Sequence, residues 1–152
     1  MKRTLLILLF IIGNFSLYAQ DINWLSLDDA LSKQKRMPKP ILLNVYTDWH
    51  APCKMMDKGT FQDADVVEHI NRIYYPVKFN AEGNSRVNYM GNSFDNPNYD
   101  PERKGRNSTH ELTKYLKVPS YPTIYILDTR GNVKEVIEGP KDPTELLRIL
   151  KN

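Results

Sequence analysis

The sequence contains a single cysteine and no apolar run long enough to span a membrane. Cys53 has no second cysteine to pair with among the 152 residues, so the chain cannot close an internal disulfide. The apolar run from Leu5 to Ile12 is far shorter than the roughly 20 residues that a membrane-spanning helix needs. These shortages exclude a disulfide-stapled scaffold and a membrane-spanning domain.

The first residues have the form of a signal peptide. Lys2 and Arg3 precede the apolar run, and small and polar residues follow it as far as Ala19. This pattern predicts cleavage after Ala19 and export of the remaining chain. We therefore expect a signal peptide at residues 1–19 and one domain at residues 20–152, which is a usual size for a single folded unit.

The exported chain also lacks an excess of charge of either sign. Removing residues 1–19 takes away Lys2 and Arg3 and leaves 19 basic and 18 acidic residues, a net charge of +1. Because nucleic-acid binding needs a strong basic footprint, no nucleic-acid partner is expected. Exported proteins usually pair their cysteines, which makes the lone Cys53 a candidate functional residue.

Hydrophobic periodicity and capping residues predict alternating helices and strands. Ser26 and Asp29 form a capping box that begins a first helix. The apolar run from Ile41 to Tyr46 is typical of a strand that is covered on both faces. The remaining elements of this half are a helix from Ala51 that is interrupted near Gly59, its continuation with Asp63 as N-cap, and a second inner strand at residues 73–82.

The second half begins with a segment that has no hydrophobic period. Residues 83–107 are rich in Asn, Gly and Pro, which indicates an inserted loop. Its Tyr89, Phe94 and Tyr99 either enlarge a binding surface or tie down a solvated loop. After the insertion, the sequence predicts a helix with a capping box of Ser108 and Glu111, two strands around a turn at residues 130–132, and a last helix from Asp142.

This order of elements predicts one α/β domain with helices on both faces of a central mixed sheet and an inserted loop before the third helix. Two motifs accompany it: Asp-Trp-His-Ala-Pro-Cys-Lys at residues 48–54 and Tyr-Pro-Thr at residues 121–123. Together they resemble the thioredoxin superfamily over residues 24–150, apart from the insertion. The interrupted helix and the Asn-rich insertion are similar to exported bacterial thioredoxin-like proteins, which implies a periplasmic protein of cell redox homeostasis.

The resemblance also assigns roles to residues, and the sequence departs from two of them. In the family motif Trp-Cys-x-Pro-Cys-Lys, the first cysteine attacks a disulfide and the second releases the mixed disulfide. Here His50 holds the first position and Cys53 the second. Asn44 stands where the family commonly buries an aspartate that handles the thiol proton, and an amide cannot titrate. Lys54 and Lys78 match the family pattern, but standard dithiol activity is not expected.

The sequence allows either a reactive or a purely structural role for Cys53 and His50. A helix N-terminus favours the thiolate and His50 can bond to the sulfur, so an activated single thiol with a pKa below about 8.5 is predicted. The alternatives are that Cys53 is an inert buried cysteine and that His50 is a solvated helix-cap residue. Peroxidase chemistry is a minor option, because the Arg that peroxiredoxins need is not found in the sequence. His69 and His110 have no spacing that completes a metal site, so neither a metal nor a cofactor is predicted.

Substrate binding does not depend on the missing thiol. The resemblance implies that Pro122 is cis and that Tyr121 and Pro122 pair with an extended peptide beside Trp49 and Pro52. The predicted partners are exported proteins or peptides with thiols or disulfides, and the oligomeric state is left open. Two functions remain, namely thiol-linked handling of such partners by the single-cysteine site and a non-catalytic peptide-binding or scaffold domain.

Overall fold

The computed structural model describes residues 21–152, so the predicted signal peptide and its cleavage site lie outside the described residues. Within this range the chain forms helices and strands that alternate along most of its length. Their bounds are α1 Leu27–Arg36, β1 Ile41–Tyr46, α2 Ala51–Lys58, α3 Ala64–Ile73, β2 Tyr75–Asn80, β3 Val87–Tyr89, β4 Asn92–Phe94, α4 Glu111–Tyr115, β5 Thr123–Leu127, β6 Val133–Glu138 and α5 Pro143–Leu150. A 3₁₀ turn at Thr60–Gln62 joins α2 to α3.

β1 lies inside a four-stranded sheet with the order β2-β1-β5-β6. It runs parallel to β2 and antiparallel to β5, and β6 closes the sheet antiparallel to β5. Residues of α1, α4 and the insertion form the core on one face, and residues of α2, α3 and α5 form the core on the other. Ile41 to Val45 are buried for this reason. The predicted mixed sheet with helices on both faces is confirmed.

Most helix boundaries follow from the capping residues. Ser26 accepts a hydrogen bond from the backbone N–H of Asp29, and Asp142 accepts one from Glu145. Asp63 caps α3 by accepting from two backbone N–H groups, which separates α3 from α2 as the sequence predicts. None of the helices within residues 21–152 is long and apolar enough to cross a membrane.

The predicted capping box of Ser108 and Glu111 is wrong. α4 begins after His110, whose Nδ1 accepts from the backbone N–H of Leu112 at 3.0 Å. The imidazole is completely buried and fixed at its other nitrogen, where Nε2–H donates to the carbonyl of Ser85 at 2.8 Å. Because this ring already satisfies the helix start, Ser108 donates elsewhere and the Glu111 carboxylate bonds to the insertion.

The insertion contains a hairpin that its composition does not indicate. β3 and β4 pair antiparallel around Met90 and Gly91, whose φ angles of 50° and 79° suit a two-residue hairpin turn. Val87, Tyr89 and Phe94 are buried in the core on the α1 side, and the hydroxyl of Tyr89 donates to the carbonyl of Gly131 at 2.7 Å. The aromatic residues do tie the insertion down, but the prediction of a segment without regular structure is wrong for these strands.

A buried amide holds the two ends of the insertion together. Nδ2 of Asn96 donates to the carbonyls of Gly83 and Ser108, and its Oδ1 accepts from the Ser108 hydroxyl. The backbone N–H of His110 adds a bond to the carbonyl of Ala81 at 2.8 Å. The two ends of the insertion are therefore joined, and its last residues contact Trp49 and Glu82.

Candidate functional site

His50 and Cys53 meet where β1 passes into α2. His50 is the N-cap residue of α2, with Pro52 in the first turn, but its side chain makes no capping bond. Its Nδ1 instead lies 3.2 Å from Sγ of Cys53, which is one turn further along the helix. His50 is therefore half-buried at the cap position, and its ring contacts the thiol rather than the first amides of α2. If the ring proton is on Nε2, Nδ1 accepts the thiol proton of Cys53.

Burial raises the pKa of the Cys53 thiol above its ordinary value, since only 3% of the residue is exposed. The backbone amides of Thr47 and Cys53 and the charge of Lys78 act in the opposite direction, while Asp57 adds to the effect of burial. The predicted pKa below about 8.5 is wrong, because desolvation of the sulfur outweighs the N-terminus of α2.

The charges of Asp57 and Lys78 act on the thiol; Lys78 matches the family pattern, and Asp57 is a residue that the sequence motif does not predict. Asp57 comes one turn after Cys53 on α2, and its Oδ2 accepts from Nζ of Lys78 at 2.8 Å. Lys78 also lies over the ring of Tyr46, 4.7 Å from its centroid. Asn44 pairs with Lys78 in the register of β1 and β2, and its buried Oδ1 has no hydrogen-bond partner within residues 21–152. The carboxylate that acts on the thiol is therefore Asp57, and residue 44 supplies only a neutral amide.

Trp49, a predicted peptide-binding residue, lies next to His50 and also next to Tyr121, another of these predicted residues. Its indole ring meets the ring of His50 edge to face at 5.4 Å and that of Tyr121 at 6.5 Å. The Tyr121–Pro122 peptide bond is cis. Trp49 is half-buried, so it lies at the edge of the site rather than in the core, and Lys54 is exposed on the first turn of α2.

The insertion contributes residues to this site that sequence reasoning missed. The guanidinium of Arg106 lies over the Trp49 ring, with its central carbon 4.1 Å from the ring centroid. Oε2 of Glu82 accepts from Nε1 of Trp49 at 3.0 Å and from the backbone N–H of Asn107 at 2.7 Å. A polar cavity of about 140 Å³ lies between Trp49 and the loop. The only signal in the sequence is the Arg and Lys cluster at residues 103–106.

The other histidines lie apart from this site. His69 is buried on α3 against Tyr74, and His110 is fixed at the start of α4. In the part of the chain that the structure describes, no three His, Cys, Asp or Glu side chains are grouped so that they could hold a metal ion.

Three observations indicate the same family: the order of the elements, the cis-proline segment beside the start of α2, and the comparison with known families. The family model of the thioredoxin-like domain matches residues 27–152. The chain belongs to the thioredoxin-like family. Within that family it departs from the dithiol pattern through His50, and Cys53 is its single cysteine.

Relatives of this thioredoxin-like protein include bacterial proteins of thiol-disulfide chemistry. It is 30% identical over 114 residues to the thiol:disulfide interchange protein DsbD of Pectobacterium atrosepticum, a match that covers 75% of the chain and only 15% of that protein. A putative disulphide-isomerase from Bacteroides thetaiotaomicron is 27% identical, with a TM-score of 0.62 and coverage of 88% and 93% of the two chains. A DsbH oxidoreductase has the same fold, with a TM-score of 0.62, 18% identity and coverage of 88% and 84%.

Proposed function

We propose that this protein handles thiols or disulfides of exported proteins through the single thiol of Cys53. The observation that carries the proposal is the 3.2 Å contact between Nδ1 of His50 and Sγ of Cys53. A neutral imidazole at this distance accepts the thiol proton during attack, which offsets the raised pKa of the buried sulfur. The thiol-disulfide activities in the names of the DsbD and disulphide-isomerase relatives support the same reaction class.

The proposed reaction is one thiol-disulfide exchange. His50 takes the proton from Sγ, the sulfur of Cys53 attacks one sulfur of the partner disulfide, and the S–S bond breaks. The other sulfur leaves with the electron pair and receives the proton from His50. Since the chain has no second cysteine, the mixed disulfide persists until an external thiol attacks it and regenerates Cys53. The protein therefore works as a single-thiol carrier.

Alkylation of Cys53 at different pH values tests whether this thiol is active. We expect the rate with iodoacetamide to rise only at a pH above the ordinary thiol range, because burial raises the pKa of Cys53. His50→Gln should lower the rate at pH 7.5 by about tenfold, because it removes the proton acceptor. Mass spectrometry measures the modified fraction. Slow alkylation that is the same in both proteins at every pH would identify an inert cysteine.

A second prediction tests the effect of the Asp57 charge on the pKa of Cys53, with Asp48 as the matched control. Because Asp57 raises the pKa of Cys53, Asp57→Asn should shift the alkylation profile to lower pH. Asp48→Asn removes the same charge from a carboxylate that bonds to Asn80 instead, so it should leave the profile unchanged. Equal shifts in both variants would contradict a specific effect of Asp57 on the sulfur.

A non-catalytic peptide-binding domain is the second candidate function. Two observations favour it: Cys53 is buried, and the rings of Trp49 and Tyr121 are in contact next to the cis Pro122. Strand addition at such a segment uses backbone hydrogen bonds and needs no thiol. Thiol trapping in the exporting cell separates the candidates, because Cys53→Ser would abolish disulfide-linked complexes under the first proposal and leave partner binding intact under the second.

We also propose that the protein acts in the bacterial periplasm. Lys2 and Arg3, the apolar run from Leu5 to Ile12 and the small residue Ala19 support this location. The protein recovered from a periplasmic fraction should begin at Gln20, as determined by intact mass. A cytosolic protein that retains Met1 would contradict export.

A further inference from the structure

Arg106 is the charged side chain of the insertion that lies directly against the candidate site. Its guanidinium covers the Trp49 ring at 4.1 Å, and the same ring meets His50, which contacts the sulfur of Cys53. Arg106 is exposed, and none of the ion pairs formed within residues 21–152 includes it. A guanidinium stacked on an aromatic ring keeps its N–H edge free for a planar anion.

The carboxylates near Trp49 form hydrogen bonds with groups other than Arg106. Glu82 accepts from Trp49 and from the backbone of Asn107, and Asp48 accepts from the side chain of Asn80 at 2.6 Å. The Glu82 bonds fix both the indole ring and the residue that follows Arg106. The loop therefore holds an exposed cation over the same Trp49 ring that contacts His50.

We propose that Arg106 determines specificity at the Cys53 site and selects partners that carry a carboxylate or another anion next to their reacting sulfur. This inference rests on the proposed thiol function. The recognised class is an acidic peptide segment or a small anionic disulfide. Lys54, exposed on the first turn of α2, adds a second positive charge on the same helix as Cys53.

Methanethiosulfonate reagents of different charge test the selection. The Cys53 thiolate attacks the sulfenyl sulfur of each reagent, and the same methanesulfinate leaves, so the reagents differ in the transferred group. Arg106→Gln should slow labelling by the anionic sulfonatoethyl reagent about threefold at low salt, which is the size of an exposed charge interaction. It should speed labelling by the cationic trimethylammonioethyl reagent and leave the neutral methyl reagent unchanged.

Two variants and a salt series control the experiment. Lys104→Gln removes an exposed cation from the same loop, so it should change the rates less than Arg106→Gln does. Arg106→Lys should keep part of the preference, and 1 M salt should remove it through screening. Equal changes for all three reagents would show that Arg106 only controls access, and unchanged rates or a preference for the cationic reagent would overturn the proposal.

A thiol-independent measurement separates this inference from the proposed function. Tryptophan fluorescence is titrated with a glutamate-rich peptide and with a lysine-rich peptide. The natural protein should respond to the acidic peptide, and Arg106→Gln should not. If no reagent labels Cys53 but this difference is present, the thiol function is wrong and the selectivity of Arg106 stands. If Cys53 reacts but neither measurement depends on ligand charge, the selectivity is wrong and the thiol function stands.

Discussion

Replacing His50 with cysteine is expected to convert the single-thiol site into a working dithiol. Residue 50 is the N-cap of α2, and its side chain already reaches Sγ of Cys53. A cysteine at this position would therefore place two sulfurs within bonding reach across one helical turn. We expect His50→Cys to form this disulfide and to raise turnover of insulin with a chemical reductant on the order of 10²-fold, because a second thiol in the same molecule releases the mixed disulfide.

The position of the new thiol is tested by two controls. Ala51→Cys supplies a second cysteine at the wrong spacing and should leave turnover low. His50→Cys combined with Cys53→Ser keeps the new thiol without a partner and should not complete the cycle. A folded His50→Cys protein that never forms the disulfide would show that the site has been reshaped for another purpose, and strong turnover by the natural protein would contradict the loss of the dithiol cycle.

Asn44 limits what His50→Cys alone can achieve. The residue is buried, and its amide cannot take a proton from Cys53. Adding Asn44→Asp should speed the release step, by about 10²-fold if the carboxylate acts as a positioned acid and base. No such gain would indicate that Asp57 already handles the proton from its place one turn along α2.

Replacing His110 with alanine is expected to give a large loss of stability, about 3 kcal/mol in the free energy of unfolding. The change removes the cap of α4, worth about 1 kcal/mol, the bond to Ser85, and an edge-to-face contact with Phe79 at 5.0 Å. It also leaves a cavity in a completely buried place. Urea unfolding measures the difference.

His110→Asn separates the cap from the packing. Its side-chain oxygen can accept from Leu112 but does not fill the space of the ring, so it should recover about 1 kcal/mol of the loss. Lys114→Ala, on the exposed side of α4, should change stability by about 0.5 kcal/mol or less. A change of that small size in His110→Ala would contradict the role of the imidazole in joining α4 to the insertion.

The sequence predicts those features that depend on local pattern. The run from Ile41 to Tyr46 becomes the doubly covered β1, and Asp63 separates α3 from α2 because a capping side chain acts on the next few amides. The contact of His50 with Cys53 follows in the same way from a spacing of three residues at a helix start. The hairpin at residues 87–94 escapes this reasoning because three-residue strands are too short to show a period.

The features that the sequence could not predict depend on contacts between residues that are far apart in the chain. The pKa of Cys53 depends on how deeply α2 buries the sulfur, and no local signal reports that depth. Glu111 has the spacing of a capping box with Ser108, but the buried ring of His110 takes the cap because its other nitrogen is held by Ser85. Arg106 reaches Trp49 only because the last part of the insertion lies against Trp49 and Glu82, which its composition does not reveal.

The closed base of the insertion has a consequence for how this protein can diversify. Asn96 ties Gly83 to Ser108, and the hairpin that follows Gly83 is anchored in the core, so the stretch at residues 97–106 is bounded by fixed points. Its residues are mostly exposed, and such loops accept changes of length and composition without disturbing the scaffold. Evolution or protein engineering can therefore exchange this stretch without redesign of the rest of the domain.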